Sequence, residues 1–90
     1  MNITESINIA IVDDHSLYIK GLKLAFSYYT DIKVIFDAEN GLHLLNQLKK
    51  VEPHLILLDI QMTVMDGITV LPQIKKQYPH IKVIILSMNG

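Results

Sequence analysis

Four short apolar runs alternate with three helix-length amphipathic stretches, and this alternation limits the possible folds more than any other property of the chain. The runs are Ile7-Asn8-Ile9-Ala10-Ile11-Val12, Lys33-Val34-Ile35-Phe36, Leu55-Ile56-Leu57-Leu58 and Lys82-Val83-Ile84-Ile85-Leu86. Each is rich in aliphatic residues and too short for a buried helix, so each reads as a strand, and Leu55 to Leu58 as one buried on both faces. Helix-length connections between such strands demand a parallel sheet with right-handed crossovers. The expected order is βαβαβαβ, an α/β sheet.

In the first connection Ser16, Lys20, Lys23, Ser27 and Thr30 recur at helical spacing and form one polar face, with Tyr18, Leu22, Ala25 and Tyr29 opposite. Ser16 or Asp14 is placed to cap it. Leu17, Ile19, Leu24 and Phe26 widen its apolar side, so this helix wants cover on more than one flank. Asp37 to Gly41 reads as a turn with Asn40 as the next cap. The second helix then turns Leu44, Leu45, Leu48 and Val51 inward and His43, Asn46, Gln47, Lys49 and Lys50 outward, and Glu52-Pro53 stops it. The third, capped by Asp66 after a loop from Gln61, is expected to bury Ile68, Leu71, Ile74 and Tyr78. Its Pro72 falls early, where a missing N–H costs less than at mid-helix.

Ninety residues fit one domain. Eight basic and nine acidic residues give a net charge of −1, with no basic patch for nucleic acid or a membrane surface. The absence of cysteine excludes a disulfide framework and a thiolate zinc site and agrees with a cytoplasmic location. Met1 to Ser6 lacks the basic and apolar regions of a signal peptide. The apolar runs are far shorter than a bilayer span.

Parallel strands present their C-terminal ends on one rim, where ligands of open α/β sheets bind. Asp13-Asp14 follow the first strand, Asp59 the third and Ser87 the fourth. With the first and third strands adjacent, three carboxylates meet. Like charges that close raise one another's pKa unless a cation joins them. An all-oxygen cluster favours a hard ion, Mg²⁺ above others. Phosphoryl transfer is the chemistry that follows, with Asp59 as the nucleophile that forms an aspartyl phosphate. His15 adjoins the acids but reads as a turn residue, since a hard-oxygen site does not need imidazole. His43, His54 and His80 read as solvated, Met62 and Met65 as packing residues, and Asp66-Gly67 as helix-start chemistry.

Ile11-Val12-Asp13-Asp14-His15, Leu57 to Gly67 and Val83-Ile84-Ile85-Leu86-Ser87 together resemble the receiver domain of two-component response regulators, in order along nearly all of the chain. The resemblance implies a flavodoxin-like, doubly wound sheet of strand order 2-1-3-4-5. It implies that Asp59 accepts a phosphoryl group from a sensor histidine kinase. Asp14 and Asp59 would bind Mg²⁺ directly, together with the Gln61 backbone carbonyl, and Asp13 mainly through water. Ser87 would be the switch hydroxyl that swings toward the phosphoryl group. Asp13-Asp14-His15 with Leu17 and Gly21-Leu22 resembles receivers that carry a LuxR-type helix-turn-helix output, so DNA would be met only through a domain outside this chain.

There are departures. Thr63 stands where the family usually has proline. The family's fourth helix, fifth strand and fifth helix do not follow Gly90, nor do the lysine and the switch aromatic of that strand. Residues 1–90 are therefore expected to form an incomplete receiver, its N-terminal portion, that self-associates through an uncovered edge and switches poorly alone. Two rival readings stand beside this one. A receiver-like fragment could bind proteins without being phosphorylated. Asp59-Ile60-Gln61-Met62-Thr63 also resembles the loop of haloacid-dehalogenase-type phosphatases, with Gln61 in place of the acid–base aspartate.

Overall fold

The computed structural model describes residues 6–62 and 65–86. They form β1 (Ile7–Val12), α1 (Ser16–Phe26), β2 (Ile32–Ala38), α2 (Gly41–Leu48), β3 (Leu55–Asp59), α3 (Gly67–Gln77) and β4 (Lys82–Leu86). All strand pairs are parallel, and the sheet order is β2-β1-β3-β4. This is the βαβαβαβ order expected, and it reproduces the first four positions of the doubly wound arrangement. The order reverses between β1 and β3, which makes their C-terminal ends the switch point of the sheet.

The two central strands are apolar on both faces because helices cover both. Ala10, Val12, Ile56 and Leu58 pack on one side with Leu44 and Leu48 of α2 and Val70 and Ile74 of α3. Ile9, Ile11 and Leu57 pack on the other with Ile19 of α1, flanked by Leu22 and Phe26. One helix thus covers one face and two cover the other. At the edge, Ile84 and Ile85 of β4 remain exposed, as do Leu17 and Leu24 of α1. The wide apolar side of α1 thus keeps Leu17 and Leu24 without cover among the described residues.

Several local expectations are corrected. Neither Ser16 nor Asp14 caps α1; His15 holds the cap position, with no side-chain bond to the helix. Ala25, Tyr29, Val51 and Ile68 are exposed, not inward. The cause is helical phase. Ile19, Leu22 and Phe26 set the buried stripe of α1, and Tyr29 and Val51 lie beyond their helix ends, where the periodicity no longer applies. In α3 the stripe is Gly67, Val70 and Ile74, which turns Ile68 outward. The second strand runs on through Asp37 and Ala38, and α2 stops at Leu48, before Glu52-Pro53. Asn40 and Asp66 do cap their helices, accepting from the N–H of His43 (2.7 Å) and Thr69 (2.8 Å). Met62 is buried in the core.

The histidines away from the rim are not merely solvated. His54 ties three strands together at the opposite end of the sheet. Its Nδ1 accepts the Asn8 N–H at 2.9 Å, its own N–H donates to the Asn8 carbonyl at 2.8 Å, and its carbonyl accepts the Lys82 N–H at 3.1 Å. His80 Nε2 lies 2.6 Å from Glu52 Oε1. Among the described residues no helix is long and apolar enough to cross a membrane.

Candidate metal centre

The parallel pairing of β1 with β3 sets Val12 beside Leu58. Asp13, the residue after β1, and Asp59, the last residue of β3, therefore emerge side by side at the switch point. Asp59 lies within the strand, one position earlier than its sequence suggested. Both side chains are fully buried, while Asp14 is partly open to solvent. One carboxylate oxygen from each of Asp13, Asp14 and Asp59, together with His15 Nδ1, lie within 4.8 Å of one another. The convergence of the three acids is thus the arrangement expected. The imidazole is an addition to it. Beside the cluster a cleft opens between Asp14, Ser16, Asp37, Glu39 and Asn40, with Asp37 ion-paired to Lys23.

Asp59 is held by a local turn. Its Oδ1 accepts the Gln61 N–H at 2.9 Å, the Asx-type bond that short acids make to the backbone two residues on. Its Oδ2 is buried and has no hydrogen-bond partner among the described residues, and the same is true of Asp13 Oδ2. A buried carboxylate oxygen without a donor is costly and calls for a cation. Burial pushes the Asp59 carboxyl up from its ordinary 3.8; the Gln61 N–H opposes this, and the negative neighbours Asp13 and Asp14 add to it. The donor chemistry fits a hard divalent ion: clustered carboxylate oxygens from three residues, with two carboxylate oxygens buried without a partner among the described residues.

His15 is the residue whose place the sequence did not reveal. Its backbone N–H and its Nδ1 both approach Asp13 Oδ1, at 2.8 and 2.7 Å, and Nδ1 is 3.2 Å from Asp14 Oδ1 and 4.0 Å from Asp59 Oδ2. The hydrogen bond to Asp13, then the Asp13 charge, hold the imidazole above its ordinary pKa of 6.5. Adjacency to two acids was the available signal, but only the turn into α1 folds the ring back over them.

The loop after Asp59 is fastened at two further points. Met65 adopts a left-handed backbone, with φ of 46°, and its carbonyl accepts the Gly41 N–H at 2.9 Å. Gly67 starts α3 so close to the site that a Cβ there would meet Ile60 Cα at 2.7 Å and the Asp59 carbonyl at 2.8 Å. Glycine at this position is what lets α3 begin against the backbone of the acid. Ser87 and Thr63 lie outside the described residues.

Comparison with known proteins agrees with this geometry. The response regulator receiver domain family matches residues 9–90. YhcZ, an uncharacterized transcriptional regulatory protein of Bacillus subtilis, is 36% identical over 79 residues, which are 88% of this chain and 37% of that protein. The nitrate/nitrite response regulator NarL of Escherichia coli K12 is 29% identical over 89 residues, 99% of this chain and 41% of NarL. The non-phosphorylated receiver domain of the stress response regulator RcsB from Escherichia coli superposes with a TM-score of 0.88 at 29% identity, covering 96% of this chain and 68% of that one. The chain spans well under half the length of these two regulators. A parallel sheet in the receiver order, an acid cluster at its switch point and a family match over nine-tenths of the residues lead to one assignment: the chain belongs to the receiver domain family of two-component response regulators.

Proposed function

We propose that Asp59 is the phosphoacceptor of this receiver, charged by the phosphohistidine of a sensor kinase. The observation that carries the reading is the buried Asp59 carboxylate, which has an oxygen clustered with carboxylate oxygens of Asp13 and Asp14 and an Oδ2 without a hydrogen-bond partner among the described residues. Asp14 and Asp59, with the Gln61 backbone carbonyl, would hold Mg²⁺ directly, and Asp13 through water. When bound, the ion offsets the charge of the carboxylates and of the transferring phosphoryl oxygens. The protein's own part is positional. The Gln61 N–H engages Oδ1 and so orients the carboxylate. One oxygen of Asp59 forms the new P–O bond as the P–N bond of the phosphohistidine breaks, and the donor histidine leaves as a neutral imidazole after taking a proton. Ser87, next in the chain after the last residue of β4, is the hydroxyl that would answer the phosphoryl group.

The output of the whole protein is proposed to be transcriptional, through DNA contacts made outside these 90 residues. This rests on its relatives: YhcZ is named a transcriptional regulatory protein, and RcsB from Salmonella enterica has been solved on promoter DNA in the presence of phosphomimetic BeF₃⁻. Membership of the receiver family and a nucleophile on the third strand favour a signalling switch over a phosphatase.

The test is Mg²⁺-dependent binding of beryllofluoride followed by ¹⁹F NMR. Wild type should bind it only with Mg²⁺, and Asp59→Ala should not bind it at all. Binding that survives this substitution would remove Asp59 from the role.

A further inference from the structure

We propose that the rim of the sheet opposite the acid cluster carries a second ligand site, and that it takes a small organic anion, a carboxylate on an apolar body. Ile7, Leu55 and Lys82 are the first residues of β1, β3 and β4, so all three stand at that rim. With Glu52, His54 and His80 they line a cavity of about 520 Å³, within the size range of small-molecule sites. Ile7 and Leu55 give it an apolar wall. Its polar groups are not equivalent. Glu52 is already engaged, its Oε1 2.6 Å from His80 Nε2. Lys82 is exposed and has no ion-pair partner among the described residues.

His54 adds a donor. Its Nδ1 accepts the Asn8 N–H at 2.9 Å. A ring nitrogen that accepts an N–H carries no proton, so the proton of the neutral ring sits on Nε2, the nitrogen turned away from Asn8. His54 thereby offers a ligand an N–H from a ring that β1 holds in place. The surroundings carry positive charge. Helices between parallel strands run back toward the strand starts. The ends of α2 and α3 therefore bring Lys49, Lys50, Lys75 and Lys76 to this rim, and Lys33 joins them near the start of β2. All five are exposed. The acids at this end, among the described residues, are Asp31 and the engaged Glu52; the others lie toward the opposite rim. Charge segregated in this way raises the local concentration of anions at the cavity. The apolar wall disfavours a bare inorganic ion and the charge disfavours a neutral ligand, whereas an amphipathic carboxylate satisfies both.

The experiment titrates the ¹⁵N-labelled chain with benzoate and, in parallel, with benzyl alcohol and acetate, followed by NMR. Benzoate should give saturable amide shifts at Asn8, His54, Leu55 and Lys82 in the millimolar range, and should bind about 5-fold more tightly than either analogue. Lys82→Met keeps the aliphatic stem and removes the charge. His54→Asn keeps an oxygen for the Asn8 N–H and removes the Nε2 donor. Each should weaken benzoate about 5-fold. Lys82→Met alters only an exposed side chain, so its result stands whether or not His54→Asn folds. The absence of saturable shifts overturns the inference, as do shifts centred on Asp13 and Asp59. Benzyl alcohol or acetate binding as tightly as benzoate, or a Lys82→Met variant that binds like wild type, overturns it equally.

Discussion

Replacing Asp59 by asparagine should stabilise the metal-free protein, although it removes the residue assigned the central chemistry. Asparagine keeps an oxygen for the Gln61 N–H and exchanges the unbonded Oδ2 for an amide donor facing two acids. Asp59 shares a 4.8 Å circle with carboxylate oxygens of Asp13 and Asp14. Unit charges 4.8 Å apart repel by about 3.5 kcal/mol at an effective dielectric constant of 20. Partial exposure of Asp14 and the nearby His15 reduce that, so a gain of about 1–3 kcal/mol at pH 7 in chelator is expected, within the range for relieving a buried unsatisfied group. Each kcal/mol moves Tm of a domain this size by roughly 4–8 °C. The sign of the pH dependence follows from the raised pKa of Asp59. Below its ordinary 3.8 the group is protonated folded and unfolded, and no penalty exists; as pH rises through the folded value, the penalty grows to its full size. The advantage of Asp59→Asn should therefore be small in acid and largest at neutral pH. Mg²⁺ at 100 times its Kd should cancel most or all of the advantage, since it stabilises wild type by about 2.7 kcal/mol. Urea melts across pH, with and without Mg²⁺, measure all of this. An asparagine variant no more stable than wild type at pH 7, or a gap that ignores pH, would refute the account of a buried, uncompensated acid.

Two further outcomes follow from the fold. Gly41→Ala and Gly21→Ala should move stability in opposite directions in the same urea assay. A Cβ at Gly41 meets the Met65 carbonyl at 2.6 Å and Val70 Cβ at 3.0 Å, so overpacking should cost about 1–3 kcal/mol. At Gly21, within α1, an added Cβ meets nothing within 4 Å among the described residues outside the helix's own backbone, and alanine should gain about 0.5–1 kcal/mol. Equal effects would discount the tie between the Asp59 loop and α2. The exposed Ile84 and Ile85 on the β4 edge should make the protein self-associate with rising concentration in sedimentation velocity, and Ile84→Lys should shift it toward monomer. A wild type that stays monomeric at high concentration would show that this edge is adequately protected.

How far the sequence could be read depends on which physical signal each residue obeys. The strands were legible because burial on both faces leaves only aliphatic residues, as in Leu55 to Leu58, and such runs have no other economical use in a chain this short. The acid cluster was legible for a related reason. Once β1 and β3 are parallel neighbours, topology alone brings Asp13 and Asp59 together, and no side-chain detail is needed. What failed was whatever depends on phase or on a turn. Val51 and Tyr29 looked apolar and inward because the helical period was carried past the helix ends, whereas α2 stops at Leu48 and α1 at Phe26. His15 was read as a turn residue beside the acids and it is one, at the cap of α1, but the bonds of its N–H and ring to Asp13 were not legible. Met65 gave no sign of its left-handed backbone; only the contact with Gly41 explains it. These three kinds of miss share a cause. A periodic pattern records the average environment of an element, while a cap or a loop is decided by single hydrogen bonds between residues far apart in the chain. In this receiver those bonds surround Asp59, so the region hardest to read in detail lies next to the residue that was easiest to find.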